Sequence, residues 1–392
     1  APRRPFNSRA SVTPRASPVG EVLLPECHHG QDVRMLGHAI AARRNGVVVE
    51  EFGIGFPPRA WSKKLKNGVL FSVNWLPLGG FVKLQGEHDA ASTKGDYGAA
   101  SFWQKTKILL AGVITNWAVA AILLTVLAIT GLPKVLPQQF TLANDTTSTQ
   151  QPVEITALLA GYPAQKAGLK EGDTIVRFAG QTVPTTKALI DLTKLNRGKS
   201  VEIIYTRGGS ESVVNLTLRS DKTGSLLGAG LGQRELTHST WSAPLVGVVT
   251  TGQFTWATLQ GLGGLVGNLA SGLFLQLSPN QTTRTEASDN LKTVGESVAG
   301  PIGILGTIFP QAEKAGPTQL IFLTAIISLT LAVMNILPIP ALDGGRWFVT
   351  VLFRVTKKEL TKEREEKIQT IGFLTLMGLV VLVTIADVTK LF

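Results

Sequence analysis

The chain has 392 residues, 44% of them hydrophobic and 17% charged, a net charge of +11 and a single cysteine. Cys27 alone excludes an internal disulfide, and no basic stripe interleaved with aromatics is present, which excludes a groove for nucleic acid. Mean hydropathy is positive at +0.20 although the middle of the chain is ordinary and charged, so the composition predicts a membrane protein with a water-exposed module.

Residues 1–33 are rich in Pro, Arg and Ser, and their longest apolar run, Val22-Leu23-Leu24, is too short to span a bilayer. The stretch is similar to a transit peptide in its Arg and Ser content, but nothing amphipathic follows and the chain opens with Ala1. Cys27, His28 and His29 are of metal-ligand type, yet on an unanchored polar segment they are expected to face water. Phe71 to Leu84 reads as two apolar strand-like halves around Pro77 and Gly79-Gly80, a hairpin placed on the cytoplasmic side. The Gly79 and Gly80 edge is a candidate to pair with an extended substrate. Ile108 to Leu132 contains no charge and is long enough to cross a hydrocarbon core of about 30 Å, which makes it the clearest span.

Val153 to Leu218 alternates as strands do, with Arg207-Gly208-Gly209 joining Val201–Tyr205 to Val213–Leu218. Ahead of that hairpin, Pro163-Ala164-Gln165-Lys166-Ala167-Gly168-Leu169-Lys170-Glu171-Gly172-Asp173 resembles the signature of a PDZ domain of the bacterial protease-associated kind. The resemblance implies a groove in which a peptide adds a strand to a sheet edge, with loop amides capturing a terminal carboxylate. Leu245 to Leu277 is glycine-rich and dotted with Thr, Gln and Asn, as an interfacial or bundle-packed helix would be. Gln319 to Ile339 and Ile368 to Ile385 are the second and third spans. Basic residues collect between His38 and Ile108 and between Asp343 and Ile368, so both segments are expected on the cytoplasmic side and the PDZ-like module outside it.

The second span runs into Asn335-Ile336-Leu337-Pro338-Ile339-Pro340-Ala341-Leu342-Asp343-Gly344-Gly345, placing a carboxylate and two glycines where a membrane helix would unwind. A carboxylate at membrane depth costs roughly 2.5–3.5 kcal/mol to insert and persists when paired, hydrated or metal-bound, which makes Asp343 a functional candidate. The alternative is that Asp343 merely starts a cytoplasmic turn.

Taken in order, Leu36-Gly37-His38 with Ala42-Arg43-Arg44-Asn45-Gly46, Glu50 to Pro58, Leu78-Gly79-Gly80-Phe81-Val82, the first span, the PDZ-like module, Gly300-Pro301-Ile302-Gly303 and Asn335 to Gly345 resemble the site-2 protease family, in its bacterial regulator-of-sigma-E branch. The resemblance covers about residues 36 to 392. It implies an α-helical integral membrane protein with an inserted β-rich PDZ-like domain. The parts are a polar leader at 1–33, membrane-domain parts at 34–132 and 240–392, and the PDZ-like module at 150–220. It also implies a Zn2+ endopeptidase acting on membrane-anchored protein substrates, multi-pass in the bacterial inner membrane. In that family two histidines of H-E-x-x-H and the aspartate of L-D-G hold zinc while the glutamate activates water. His38 and Asp343 are the matching ligands here, and Asn335, Pro338 and Pro340 match the segment that helps hold substrate backbone extended.

The match fails at the first part of the zinc motif. Arg34 stands where the first histidine belongs and Met35 where the general base belongs. Two ligands bind zinc weakly, and loss of a general base costs about 10²–10⁴ in rate, so hydrolysis by this sequence should be impaired. The abrupt switch at Leu36 favours a damaged or misassigned N-terminus over a genuine pseudoprotease whose PDZ-like module binds peptides. Other classes lack support: there is no Gly-x-Ser-x-Gly, and Asp387, near the end of the last span, makes a poor aspartyl partner for Asp343. The repeated spans of a carrier are also missing.

Overall fold

The computed structural model describes residues 33–391 apart from 222, 223, 277, 279, 298 and 299. Cys27, His28, His29 and the rest of the leader up to residue 32 lie outside the described residues. The chain divides into two compact units, one from the described part of Ala1–Ala120 with Thr258–Gly306 and Ile326–Phe392, the other from Ala121–Ala257 with Thr307–Ala325.

The first unit opens with a helix over residues 33–44, whose buried side carries His38 and Ala42 at i, i+4 while Leu36 and Ile40 are exposed. It lies close against the helix Phe102–Thr130, because a Cβ on Gly37 would stand 2.2 Å from Thr115 Oγ1 and 3.0 Å from the Ala111 carbonyl. Val49–Lys64 and Leu70–Leu84 form an antiparallel sheet in which Glu51 pairs with both Leu70 and Lys83, and Gly53 with both Ser72 and Phe81. The hairpin expected within Phe71 to Leu84 is thereby corrected. Its two strand-like halves lie on opposite sides of Val49–Ile54, which offers a ladder on each edge, so the halves never meet. Ala42, Val47, Val49, Leu84, Tyr97 and Ile108 close a small core beneath this sheet.

Among the described residues, three helices are long and apolar enough to cross a membrane: Phe102–Thr130, Pro317–Ile336 and Lys362–Val388. They overlap the three expected spans. The glycine-rich stretch is also helical, over Ala243–Gln276, and is not one of the three.

The second unit holds a six-stranded sheet with Ala229–Gly232 at one edge, followed by Val153–Leu158, Thr174–Phe178, Ser200–Arg207 and Ser210–Thr217, while Gln181–Thr182 pairs with Thr174–Phe178. The edge strand Ala229–Gly232 extends this module beyond the stretch read from the sequence. Val153, Ile155, Ile175, Phe178, Leu189 and Ile203 are fully buried in its core. Gly208 and Gly209, both with positive φ, make the two-residue turn expected after Arg207. The helix Thr186–Leu195 is capped by Thr185, whose hydroxyl accepts from Ala188 N at 3.1 Å. The Asp of the signature, Asp173, accepts from Arg207 Nε at 2.6 Å, Arg207 Nη2 at 2.7 Å and Lys170 N at 2.7 Å. Burial opposes its charge, but the Arg207 hydrogen bonds and the Lys170 amide outweigh this and hold the carboxyl below its ordinary range.

Candidate active site

Pro317–Ile336 ends just after Asn335, the chain turns through Leu337 to Leu342, and Asp343 opens the helix Asp343–Val355. The two glycines after Asp343 permit that turn. A Cβ on Gly344 would stand 2.2 Å from the Ile336 carbonyl oxygen and one on Gly345 1.9 Å from that of Ile339. Ala341 adopts a left-handed φ of +77° and its N–H donates to Gln369 Oε1 at 2.6 Å, while Pro340 packs against Gly372.

His38 is brought to the same point from the helix over 33–44. Its Nδ1 lies 2.8 Å from the Ile108 carbonyl, which can only accept, so Nδ1 carries a proton, and Nε2 lies 3.3 Å from Asp343 Oδ2, to which it donates when it is protonated as well. Gly112 leaves room for this imidazole, since a Cβ there would fall 2.1 Å from His38 Nε2. Arg34 Nη2 donates to the same Asp343 oxygen at 2.9 Å. Burial opposes ionisation of Asp343, yet His38 and Arg34 prevail and hold it below the ordinary carboxylate range.

These side chains line a cleft of about 900 Å³ together with Met35, Gly80, Tyr97 and Asn335. Gly80 belongs to its wall, Gly79 is buried in the adjacent turn of the strand, and Pro338 lies in the turn ahead of Asp343. Asn335 is buried, donates from Nδ2 to the Leu331 carbonyl at 2.7 Å and has no partner for Oδ1. The donor set does not fit zinc. Among the described residues no group of three His, Cys, Asp or Glu side chains could hold a metal ion, and the cation facing Asp343 is the Arg34 guanidinium.

Sequence reasoning missed a second ring of residues around the cleft. Arg346, one turn after Asp343, lies 4.5 Å from the Tyr97 ring centroid, donates to Glu87 Oε1 at 2.9 Å and stands 3.3 Å from Glu365 Oε1. Glu365 Oε2 in turn accepts from Asp89 N at 2.8 Å. Burial works against the Arg346 charge, but Tyr97, Glu87 and Glu365 keep it firmly protonated. The sole sequence signal was a basic residue one helical turn past the motif aspartate. Elsewhere in this unit the Gly300 and Gly303 amides donate to the buried Asp387 carboxylate at 3.1 and 2.7 Å.

Residues 36–379 match Peptidase family M50. A Clostridium perfringens protein bearing a provisional zinc-metalloprotease name is 31% identical over 91% of this chain and 94% of its own. The regulator of sigma-W protease RasP of Bacillus subtilis is 24% identical over 91% and 95%. The PDZ domain of an SdrC-like protein from Listeria monocytogenes is 25% identical over 20% of this chain and 86% of its own, with a TM-score of 0.19. With the family matched over most of its length, the chain belongs to peptidase family M50, the site-2 proteases.

Proposed function

We propose that this chain has the framework of an intramembrane zinc endopeptidase acting on membrane-anchored protein substrates, with its hydrolytic step impaired by Arg34 and Met35. The observation that carries the reading is the meeting of His38 Nε2 and Asp343 Oδ2 at 3.3 Å, drawn from residues far apart in sequence, in a cleft walled by Gly80 and Asn335. The chain is multi-pass in the bacterial inner membrane, its PDZ-like module lies outside the cytoplasm, and that module takes a peptide or a C-terminus at its sheet edge. Asn335, Pro338, Pro340, Gly79 and Gly80 hold an unwound substrate extended. The described residues do not complete a site for a metal.

One observation favours a second reading, a pseudoprotease that binds peptides: the Arg34 guanidinium already neutralises Asp343 at 2.9 Å. Metal analysis and a cleavage assay on the purified chain separate the two. The parent should retain almost no zinc, while the double variant Arg34→His, Met35→Glu should take up close to one equivalent and cut a single-span substrate about 10²–10⁴ times faster. A double variant that binds no zinc and cuts nothing sinks the endopeptidase framework. Tight, His38-dependent zinc in the parent sinks the pseudoprotease.

A further inference from the structure

Eight buried side-chain polar atoms have no hydrogen-bond partner among the described residues, and five of them sit on residues that line the one cleft. Arg346 Nε has Glu365 Oε1 3.3 Å away, which leaves Arg34 Nε, Tyr97 OH, Asn335 Oδ1 and Gln369 Nε2. Buried polar groups are almost always paired, so this concentration marks capacity held for something that binds there.

Tyr97 is the best fixed of the four and is 1% exposed. Its N–H donates to the Gln85 carbonyl at 2.8 Å, in the segment that directly follows Leu70–Leu84. The Arg346 guanidinium stands over its ring at 4.5 Å from the centroid, and Lys105 Nζ at 5.6 Å. Burial pushes the phenol up from its ordinary value, so the hydroxyl remains a proton donor at any physiological pH. The neighbouring strand portion Gly80–Leu84 pairs with Val49–Ile54 on one side, and among the described residues no strand takes the other. A peptide laid along that edge offers alternating carbonyl and N–H groups to the cleft.

We propose that the Tyr97 hydroxyl donates a hydrogen bond to a main-chain carbonyl of an extended, unwound stretch of substrate lying in the cleft along Gly80–Leu84, while Asn335 Oδ1 accepts from an N–H of the same stretch. The assignment rests on the endopeptidase-framework reading and adds a binding residue to it. Recognition of this kind reads backbone, so it selects for segments that leave the helical state and tolerates varied side chains.

The test uses the full chain in lipid nanodiscs and a fluorescein-labelled single-span peptide of Leu and Ala broken at its centre by Gly-Pro. Binding and thermal midpoint are measured for the parent, Tyr97→Phe and Asn335→Leu. Tyr97→Phe should weaken peptide binding about threefold to tenfold while leaving the midpoint unchanged or higher, since the hydroxyl it removes has no partner in the free chain. A set of probes with single amide-to-ester replacements supplies a second readout: one position should weaken binding to the parent and not to Tyr97→Phe. Unchanged binding by Tyr97→Phe, or a clear drop in midpoint, overturns the assignment. If the parent binds the probe and Asn335→Leu alone weakens it, Tyr97 falls and the framework reading stands. If the parent does not bind the probe at all, both fall.

Discussion

The six-stranded module and the cleft handle polar groups in opposite ways. In the module, Asp173 is buried and takes three hydrogen bonds, and no buried side-chain atom between Val153 and Gly232 lacks a partner among the described residues. Around the cleft, Tyr97, Asn335 and Gln369 keep polar atoms buried and unpaired. A satisfied core maximises its own stability, whereas a site that must receive a peptide keeps donors and acceptors in reserve. The difference separates a region whose buried polar side chains are satisfied from within from one that holds several unpaired.

The contrast breaks most readily at the module's core. Phe178→Ala removes a fully buried ring and should cost about 3–5 kcal/mol, read as a lower midpoint for loss of the module's β signal. A loss under about 1 kcal/mol would mean that this core is loosely packed. Arg34→Ala strips Asp343 of its guanidinium and should cost about 2–3 kcal/mol, because a partly buried carboxylate is left without its cation. Replacing Asp343 by Asn in the same chain should restore part of that loss. Asp173→Ala leaves Arg207 and the Lys170 amide unpaired and should cost about 1–3 kcal/mol. The Asp173 carboxyl is depressed in the folded chain, so the unfolded chain binds more protons as acid is added. Its contribution is therefore complete above about pH 4, declines as pH falls further, and should vanish from the pH profile of Asp173→Ala. At the small end, Asn335→Leu loses only the Nδ2 hydrogen bond to the Leu331 carbonyl, its Oδ1 having no partner, and should cost no more than about 1 kcal/mol. A large loss there would erase the contrast.

Local patterns reveal the module and the helices because their signals are short-range. The run Pro163 to Asp173 carries the turn glycines Gly168 and Gly172 at fixed spacing, and unbroken apolar stretches declare Phe102–Thr130 and Pro317–Ile336. Asp343 stands out because a carboxylate beside an apolar run needs a reason. The pairing of Val49–Ile54 with both halves of Leu70–Leu84 was invisible, since nothing in either segment says which edge it prefers. Tyr97, Arg346 and Glu365 were equally hidden: each looks like an ordinary surface residue until the loop at Gln85–Tyr97 folds onto the starts of two helices. Gly300 and Gly303 stand out in sequence only as part of a motif, and it is the folded chain that shows Asp387 approaching them.

The Asp387 carboxylate lies 87 and 84 residues downstream of the two amides it satisfies. During synthesis Gly300 and Gly303 therefore leave the ribosome long before their acceptor has been made, and the final helix arrives bearing a charge that hydrocarbon disfavours. Each half carries a polar group that the other satisfies, so the two amides gain this acceptor only when the last helix is in place. A chain interrupted before Asp387 lacks the acceptor that these two amides use.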